Sequence, residues 1–172
     1  MTVFTIGHGV RPLEELVGLL RDANVKTLVD VRRFPSSRRN PQYNQRPLAE
    51  ALAAGEIAYR HEVELGGRLS GEPGAERFAC IRVAAFRSYA ARMGSDRWQR
   101  ALAGALAHPA PCLMCAETVP WRCHRLLISE LLVVRGHTVV HLLAPGRHEH
   151  HRLGDDAEAR DGRLYLCGEL VA

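Results

Sequence analysis

"TVFTIG" (2–7) is β-branched and aromatic and stops at "GHG", the pattern of a strand that ends in a turn. In "RPLEELVGLLRDAN", Leu13, Leu16, Val17 and Leu20 fall at helical spacing. Pro12 suits a first helical position, Glu14 and Glu15 favour the positive end of the helix dipole, and Asn24 is a fitting stop. "VKTLVDVR" then reads as a buried strand. A strand–helix–strand unit this short joins parallel strands through a right-handed crossover. A parallel sheet needs helices on both faces, so this unit narrows the fold more than any other part of the chain.

The rest of the chain continues the alternation. "RPLAEALAAG" predicts a short helix with Pro47 near its start and Gly55 past its end. "IAYRHEVELGG" predicts a third strand of open direction, and "RLSGEPGAER" a loop. Helices are expected over 76–93 and 96–107, with Ser95 capping the second. "PCLMCAE" reads as a fourth strand, "CHRLLISELLVVRG" as a helix capped by Gly136, and "HTVVHLLA" as a fifth strand. "PGRHEHHRLGDDAEARDGR" reads as a polar loop and "LYLCGEL" as a last edge strand. The 172 residues suffice for one core. The expected architecture is a single three-layer α/β domain over 1–172, with a mostly parallel sheet of about five strands and flanking helices. Residues 144–172 form a less typical C-terminal extension.

Bulk features exclude several classes. No stretch approaches the ~20 uninterrupted apolar residues of a membrane span. The N-terminus lacks the basic head and long apolar run of a secretory signal. No membrane partner is expected, and a cytoplasmic location is. The five cysteines are an odd number, which argues for reduced thiols, with Cys80 and Cys167 as small core residues. The net charge of +4 is mild, but "DVRRFPSSRRNPQYNQR" concentrates Arg32, Arg33, Arg38, Arg39 and Arg46 on one segment. Such a loop suits phosphate or carboxylate groups; the competing reading is a solvated loop.

Ligands of open α/β sheets bind beyond the carboxyl ends of the strands. "GHG" (7–9), "DVRRFPSSRR" (30–39) and "CAETVPWRCHR" (115–125) all begin where a strand ends, so they are expected to share one rim, with "ELGG" (64–67) a further candidate. These segments, together with "TIGHG", "LVDVRRFPSSRR", "ELGGR" and "YAARM", resemble the family catalogued as domain of unknown function 488, over residues about 2 to 143. The resemblance implies a compact prokaryotic α/β protein without a settled chemistry. It also implies that His8, Asp30, Arg32, Pro35, Cys115, Glu117, Cys123, His124 and Arg125 occupy the family's marked positions. The tail "RHEHHRLGDD" departs from the family pattern and takes no role from it.

The residues themselves suggest roles. A thiol near a helix start and near arginine or histidine is favoured as thiolate, which makes Cys123 or Cys115 a candidate nucleophile. Glu117 or Asp30 is a candidate general acid or base, with His8 assisting; for Asp30 a ribose-hydroxyl partner is another role, and anchoring Arg32 is the commonest fate of such an acid. On a helix, adjacent Cys123 and His124 would point roughly 100° apart, so His124 is placed with the ligand-binding groups. Arg32, Arg33, Ser36, Arg38, Arg39 and Arg125 suit an anion, and Tyr43 a stacked base. The leading reading is a small hydrolase or group transferase acting on an anionic small molecule, a nucleotide or nucleic acid. A non-catalytic module for nucleic acid or a phosphate ligand is the alternative. No cofactor is called for, because neither a P-loop nor a full dinucleotide fingerprint is present. Zinc on Cys115, Cys123 and His124, with His8 or Glu117 as fourth ligand, is a third reading. Against it stand the seven-residue gap between the cysteines and the poor fit of adjacent ligands to one ion. "HEHH" (148–151) suits a solvated loop better than a metal site. Oligomeric state is left open.

Overall fold

A computed structural model describes residues 1–172. Strand β1 (Thr2–Gly7) leads through helix α1 (Leu13–Asp22) to β2 (Thr27–Asp30), as the opening pattern demands. Then come α2 (Gln45–Ala54), β3 (Ala58–His61), α3 (Ala84–Met93), α4 (Asp96–Leu106), β4 (Pro111–Cys115), α5 (Arg125–Val134) and β5 (Thr138–Ala144). Four strands close the chain: β6 (Arg147–His150), β7 (Ala157–Arg160), β8 (Arg163–Leu166) and β9 (Glu169–Leu170). The main sheet has the order β3-β2-β4-β1-β5-β6. Its first five strands are parallel and β6 is antiparallel to β5. The third strand, whose direction the sequence left open, therefore delivers its carboxyl end to the same rim as the others.

The three layers follow from the two-residue period of strands. Val3, Val29, Val31, Leu113, Cys115 and Val139 pack with residues of α3, α4 and α5. Ile6, Leu28, Cys112, Met114, Val140 and Leu142 pack with residues of α1 and α2 on the other face. Cys112 and Cys115 thus face opposite layers, and only Cys115 looks towards α5. On α4, the Ser95 hydroxyl caps the helix by accepting from the Trp98 N–H at 3.3 Å. Trp98, fully buried, donates its indole N–H to the Tyr89 hydroxyl at 3.2 Å, and Tyr89 donates to the Leu65 carbonyl at 2.8 Å. This chain of bonds fixes α3 against the turn after β3.

Several expectations are corrected. The helix expected over 76–93 is a single 3₁₀ turn at Ala75–Phe78 followed by α3. The break carries Cys80, which is disulfide-bonded to Cys167, so these two are neither reduced nor simple core residues. The bridge joins residues 87 apart in sequence, and neither apolar segment carries a local sign of the other. It also removes the odd cysteine count as an argument about compartment. The third strand is four residues long and gives way to a 3₁₀ turn at Val63–Leu65. The expected polar loop holds β6 and β7, and β7, β8 and β9 make a separate antiparallel sheet. All four β6 residues are exposed, so that strand rests on backbone pairing with β5 and had no alternation to reveal it. No helix is long and apolar enough to cross a membrane.

Candidate functional site

The parallel strands bring the three rim segments together. His8 and Gly9 donate their backbone N–H groups to the Cys115 and Ala116 carbonyls at 2.9 and 2.8 Å, and Val31 donates to Met114 at 2.9 Å. Gly7 is required here, because a Cβ would fall on the Glu117 carbonyl. Over this rim opens a cavity of about 520 Å³. Its wall includes His8, Arg32, Arg33, Ser36, Arg39, Cys115, Glu117, Cys123 and His124. Asp30, Arg38, Tyr43 and Arg125 do not line it.

Those four have other placements. Asp30 is fully buried and grips Arg32 with both oxygens: Oδ1 accepts from Nε at 2.8 Å and Oδ2 from Nη2 at 2.6 Å. Oδ1 also accepts the Arg32 backbone N–H, and Oδ2 the Tyr59 hydroxyl at 2.8 Å. With its acceptor sites this full, Asp30 acts as the anchor of Arg32. Tyr43 is buried; its ring stacks on His8 with centroids 4.2 Å apart, and its hydroxyl donates to the Arg11 carbonyl. Arg125 is buried beneath the cavity, donating from Nε to Cys123 Sγ at 3.2 Å and from Nη1 to Thr5 Oγ1 at 3.3 Å. Its Nη2 holds the Glu117 carbonyl, so this guanidinium braces the loop that carries Glu117. Arg38 is exposed outside the cavity wall.

His8 uses both ring nitrogens. Nδ1–H donates to the Gly9 carbonyl at 2.8 Å, which leaves Nε2 to accept from Arg32 Nη1 at 3.3 Å. Burial, with the Arg32 charge adding to it, lowers its pKa, so the ring is held neutral.

The chemistry concentrates at the thiols. Cys123 is not on a helix: it follows a 3₁₀ turn at Pro120–Arg122 in an extended conformation (φ −143°, ψ 170°), and α5 begins two residues later. The chain turns sharply between Cys123 and His124. Their side chains therefore converge, against the divergence expected for helical neighbours. Cys115 Sγ, Cys123 Sγ and a ring nitrogen of His124 all lie within 4.8 Å of one another. His124 Nε2–H donates to the Val31 carbonyl at 3.0 Å, which fixes the tautomer and turns the Nδ1 lone pair to Cys115 Sγ, 3.9 Å away. Gly67 makes room for this ring, since a Cβ there would sit 2.6 Å from Nδ1.

The two thiols behave as one unit. Cys115 is held well below the usual thiol range by a hydrogen bond from Cys123, against the cost of burial and with help from His124 and Arg125. Cys123 is pushed up, because Cys115 takes the charge and because it is buried. The titration of each thiol therefore depends on the state of the other. Cys112, the other free thiol, is buried on the opposite face and also pushed up.

Sequence reasoning missed part of the wall. Arg68, Phe86 and Tyr89 line the cavity beside the expected residues, as does Arg122, which the sequence places next to Cys123. Arg33, Arg39, Arg68 and Arg122 are exposed, and none of them forms a salt bridge with a carboxylate. Phe86 and Tyr89 are three apart on α3, a helical spacing that could have marked them. A buried polar chain also escaped notice. Thr5 Oγ1 meets His141 Nδ1 at 2.7 Å, His141 Nε2 meets His151 Nδ1 at 3.0 Å, and His151 Nε2 approaches Glu130 Oε2 at 3.5 Å. The last contact is too long for a hydrogen bond. Burial, then His151 and Arg125, pushes His141 down to about 3. Of "HEHH", only His151 turns inward. His148 and His150 border a second cavity of about 470 Å³ with Phe4, Leu19 and Val140, remote from the thiols.

No curated protein and no solved structure matches the chain. Residues 12–132 match one family profile; the matched span begins just after "TIGHG" and includes "CAETVPWRCHR". That span carries both thiols, His124 and the arginine loop, and it covers more than half of the 172 residues, so the chain belongs to the family described as Domain of unknown function DUF488.

Proposed function

We propose that this chain is a small thiol-dependent hydrolase or group transferase acting on an anionic substrate, with a nucleotide or a nucleic-acid end as the favoured class. The observation that carries the reading is the Cys115–His124 pair: a lowered thiol 3.9 Å from an imidazole nitrogen whose partner nitrogen is fixed by a backbone carbonyl, at the wall of a cavity. A nucleophile, a base and an orienting group in that order are the parts of covalent catalysis. Arg33, Arg39, Arg68 and Arg122 are exposed on the wall with no carboxylate partner, and guanidinium forks suit phosphate or carboxylate oxygens. Phe34 and Phe86 give the same wall an apolar side, which favours a substrate with an aromatic or apolar part.

The step follows from these positions. The Cys115 thiolate attacks the electrophilic atom, a bond to sulfur forms, and the bond to the leaving group breaks. His124 holds the thiol proton at Nδ1 and returns it to the leaving group. Water, activated by the exposed Glu117 carboxylate, or an acceptor in its place, then cleaves the bond to Cys115.

The charged wall also supports the alternative of a non-catalytic anion-binding module, and alkylation separates the two. Iodoacetate and iodoacetamide present the same electrophile with and without a negative charge. The thiol reading expects a single fast site, Cys115, that prefers iodoacetate, is slowed by His124→Gln and is absent in Cys115→Ser. Labelling at the rate of a free cysteine, with no preference for the anion, removes the thiol reading and leaves the binding module.

A further inference from the structure

The structure assigns a second capacity to the thiol cluster: we propose that Cys115, Cys123 and Nδ1 of His124 bind one zinc ion, and that zinc occupancy silences the thiol. The inhibitory half rests on the thiol reading above; the binding half stands without it.

Two thiols and an imidazole are the donor set that selects zinc over harder ions such as magnesium or calcium. The geometry is nearly formed. Zinc–sulfur bonds of about 2.3 Å and zinc–nitrogen bonds of about 2.0–2.1 Å set tetrahedral ligands roughly 3.5–3.8 Å apart. The three ligand atoms already lie within 4.8 Å of one another, with Cys115 and His124 at 3.9 Å. A contraction of about 1 Å closes the site.

The surroundings are those of a prepared ligand set. A histidine that ligates a metal commonly donates its other N–H to a carbonyl or carboxylate, which orients the ring. His124 does this to Val31 at 3.0 Å. The Arg125 Nε donates to Cys123 Sγ at 3.2 Å, a bond that persists onto a metal-bound thiolate. All three ligands are buried, yet all three border the cavity, so a fourth position is left to water, to Glu117 or to an anion. Binding forms two zinc–sulfur bonds and one zinc–nitrogen bond, and the thiol protons leave to solvent. Two thiolates neutralise the dication, and Cys115 is no longer free to attack.

Cobalt(II) is the probe, because its thiolate complexes absorb. Titrated anaerobically into the metal-free protein, it is expected to give a sulfur-to-cobalt band and tetrahedral visible bands that saturate at one equivalent and vanish when zinc is added. Cys123→Ser and Cys123→Ala should each weaken binding by at least about 10-fold, with circular dichroism showing that the variants remain folded. One equivalent of zinc should suppress Cys115 alkylation, and a chelator should restore it. A reactive Cys115 with no cobalt–sulfur band overturns the zinc site and leaves the thiol reading intact. A band that forms although metal-free Cys115 is inert overturns the silencing and the thiol reading together, while the metal site stands. Binding without sulfur bands that survives Cys123→Ser and falls in His148→Ala or His150→Ala places the ion on the exposed strand β6 and overturns the proposal.

Discussion

Two buried polar clusters sit side by side on the same rim, and their chemistry differs in one respect. In the Asp30 cluster every strong group is answered: the carboxylate accepts from Arg32 and Tyr59, and Arg32 also reaches Tyr43 and His8. In the Cys115 cluster the groups face one another with capacity left over: two thiols, one imidazole lone pair and a cavity beyond them. A polar cluster whose valences are full holds the fold, whereas one with unfilled valences at a cavity can act on something else. Density of charged residues does not distinguish the two cases, and the state of their hydrogen bonds does.

The sharpest way to break this comparison is to remove an anchor. Asp30→Ala leaves the Arg32 guanidinium buried and unpaired, which should cost about 3–5 kcal/mol, read by urea unfolding. A loss below about 1 kcal/mol would mean that Asp30 is no anchor. Next in size is the covalent tie of the tail. Cys80→Ser opens the Cys80–Cys167 bridge, which spans 87 residues of sequence, and should cost about 2–4 kcal/mol. Because neither Cys80 nor Cys167 lines the cavity, iodoacetate labelling of Cys115 should be unchanged; a matching drop would tie the tail to the site.

Gly67→Ala tests the acting cluster without deleting any of its groups. A Cβ 2.6 Å from His124 Nδ1 must move the ring, and a displacement of about 1 Å can cost ~100-fold in rate. Alkylation of Cys115 should fall by about that factor while the protein stays folded, and an unaffected rate would detach His124 from the thiol. Smaller is the pH signature. Cys115 is lowered, so its share of stability is complete above the unfolded thiol value of about 8.5 and is lost as pH falls through the folded value. Cys123 is raised and acts oppositely, so stability declines above about 8.5. Unfolding free energies across pH should show this rise and fall, and a Cys115→Ser/Cys123→Ser double variant should flatten it. The smallest effect belongs to the exposed cations. Arg33→Ala or Arg39→Ala should reduce the preference for iodoacetate a few-fold, and added salt should mimic the change, since solvated charges are screened within about 10 Å at 0.1 M.

Much of the fold was legible because burial repeats with the period of the backbone. The run "TVFTIG", the spacing of Leu13, Leu16 and Leu20, and the all-apolar "CLM" of β4 each state which face is covered. The exposed β6 and the 3₁₀ turn at Ala75–Phe78 carry no such period, and there the sequence reading went wrong. For the site, strand ends told where His8, Arg32 and Cys115 would gather. They were silent on Arg68 and Tyr89, which reach the cavity from a turn and from α3.

What the sequence determined by itself was the parallel sheet, its covered faces and the rim at which the polar segments collect, because hydrophobic periodicity and chirality act over a few residues at a time. Tertiary structure alone decided that Asp30 anchors Arg32, that Cys80 joins Cys167, that His141 meets His151, and that Cys123 and His124 converge. These contacts depend on the angles and distances at which whole elements or turns meet. A shift of an ångström or two makes or breaks a hydrogen bond, and no local pattern of residues encodes distances that fine.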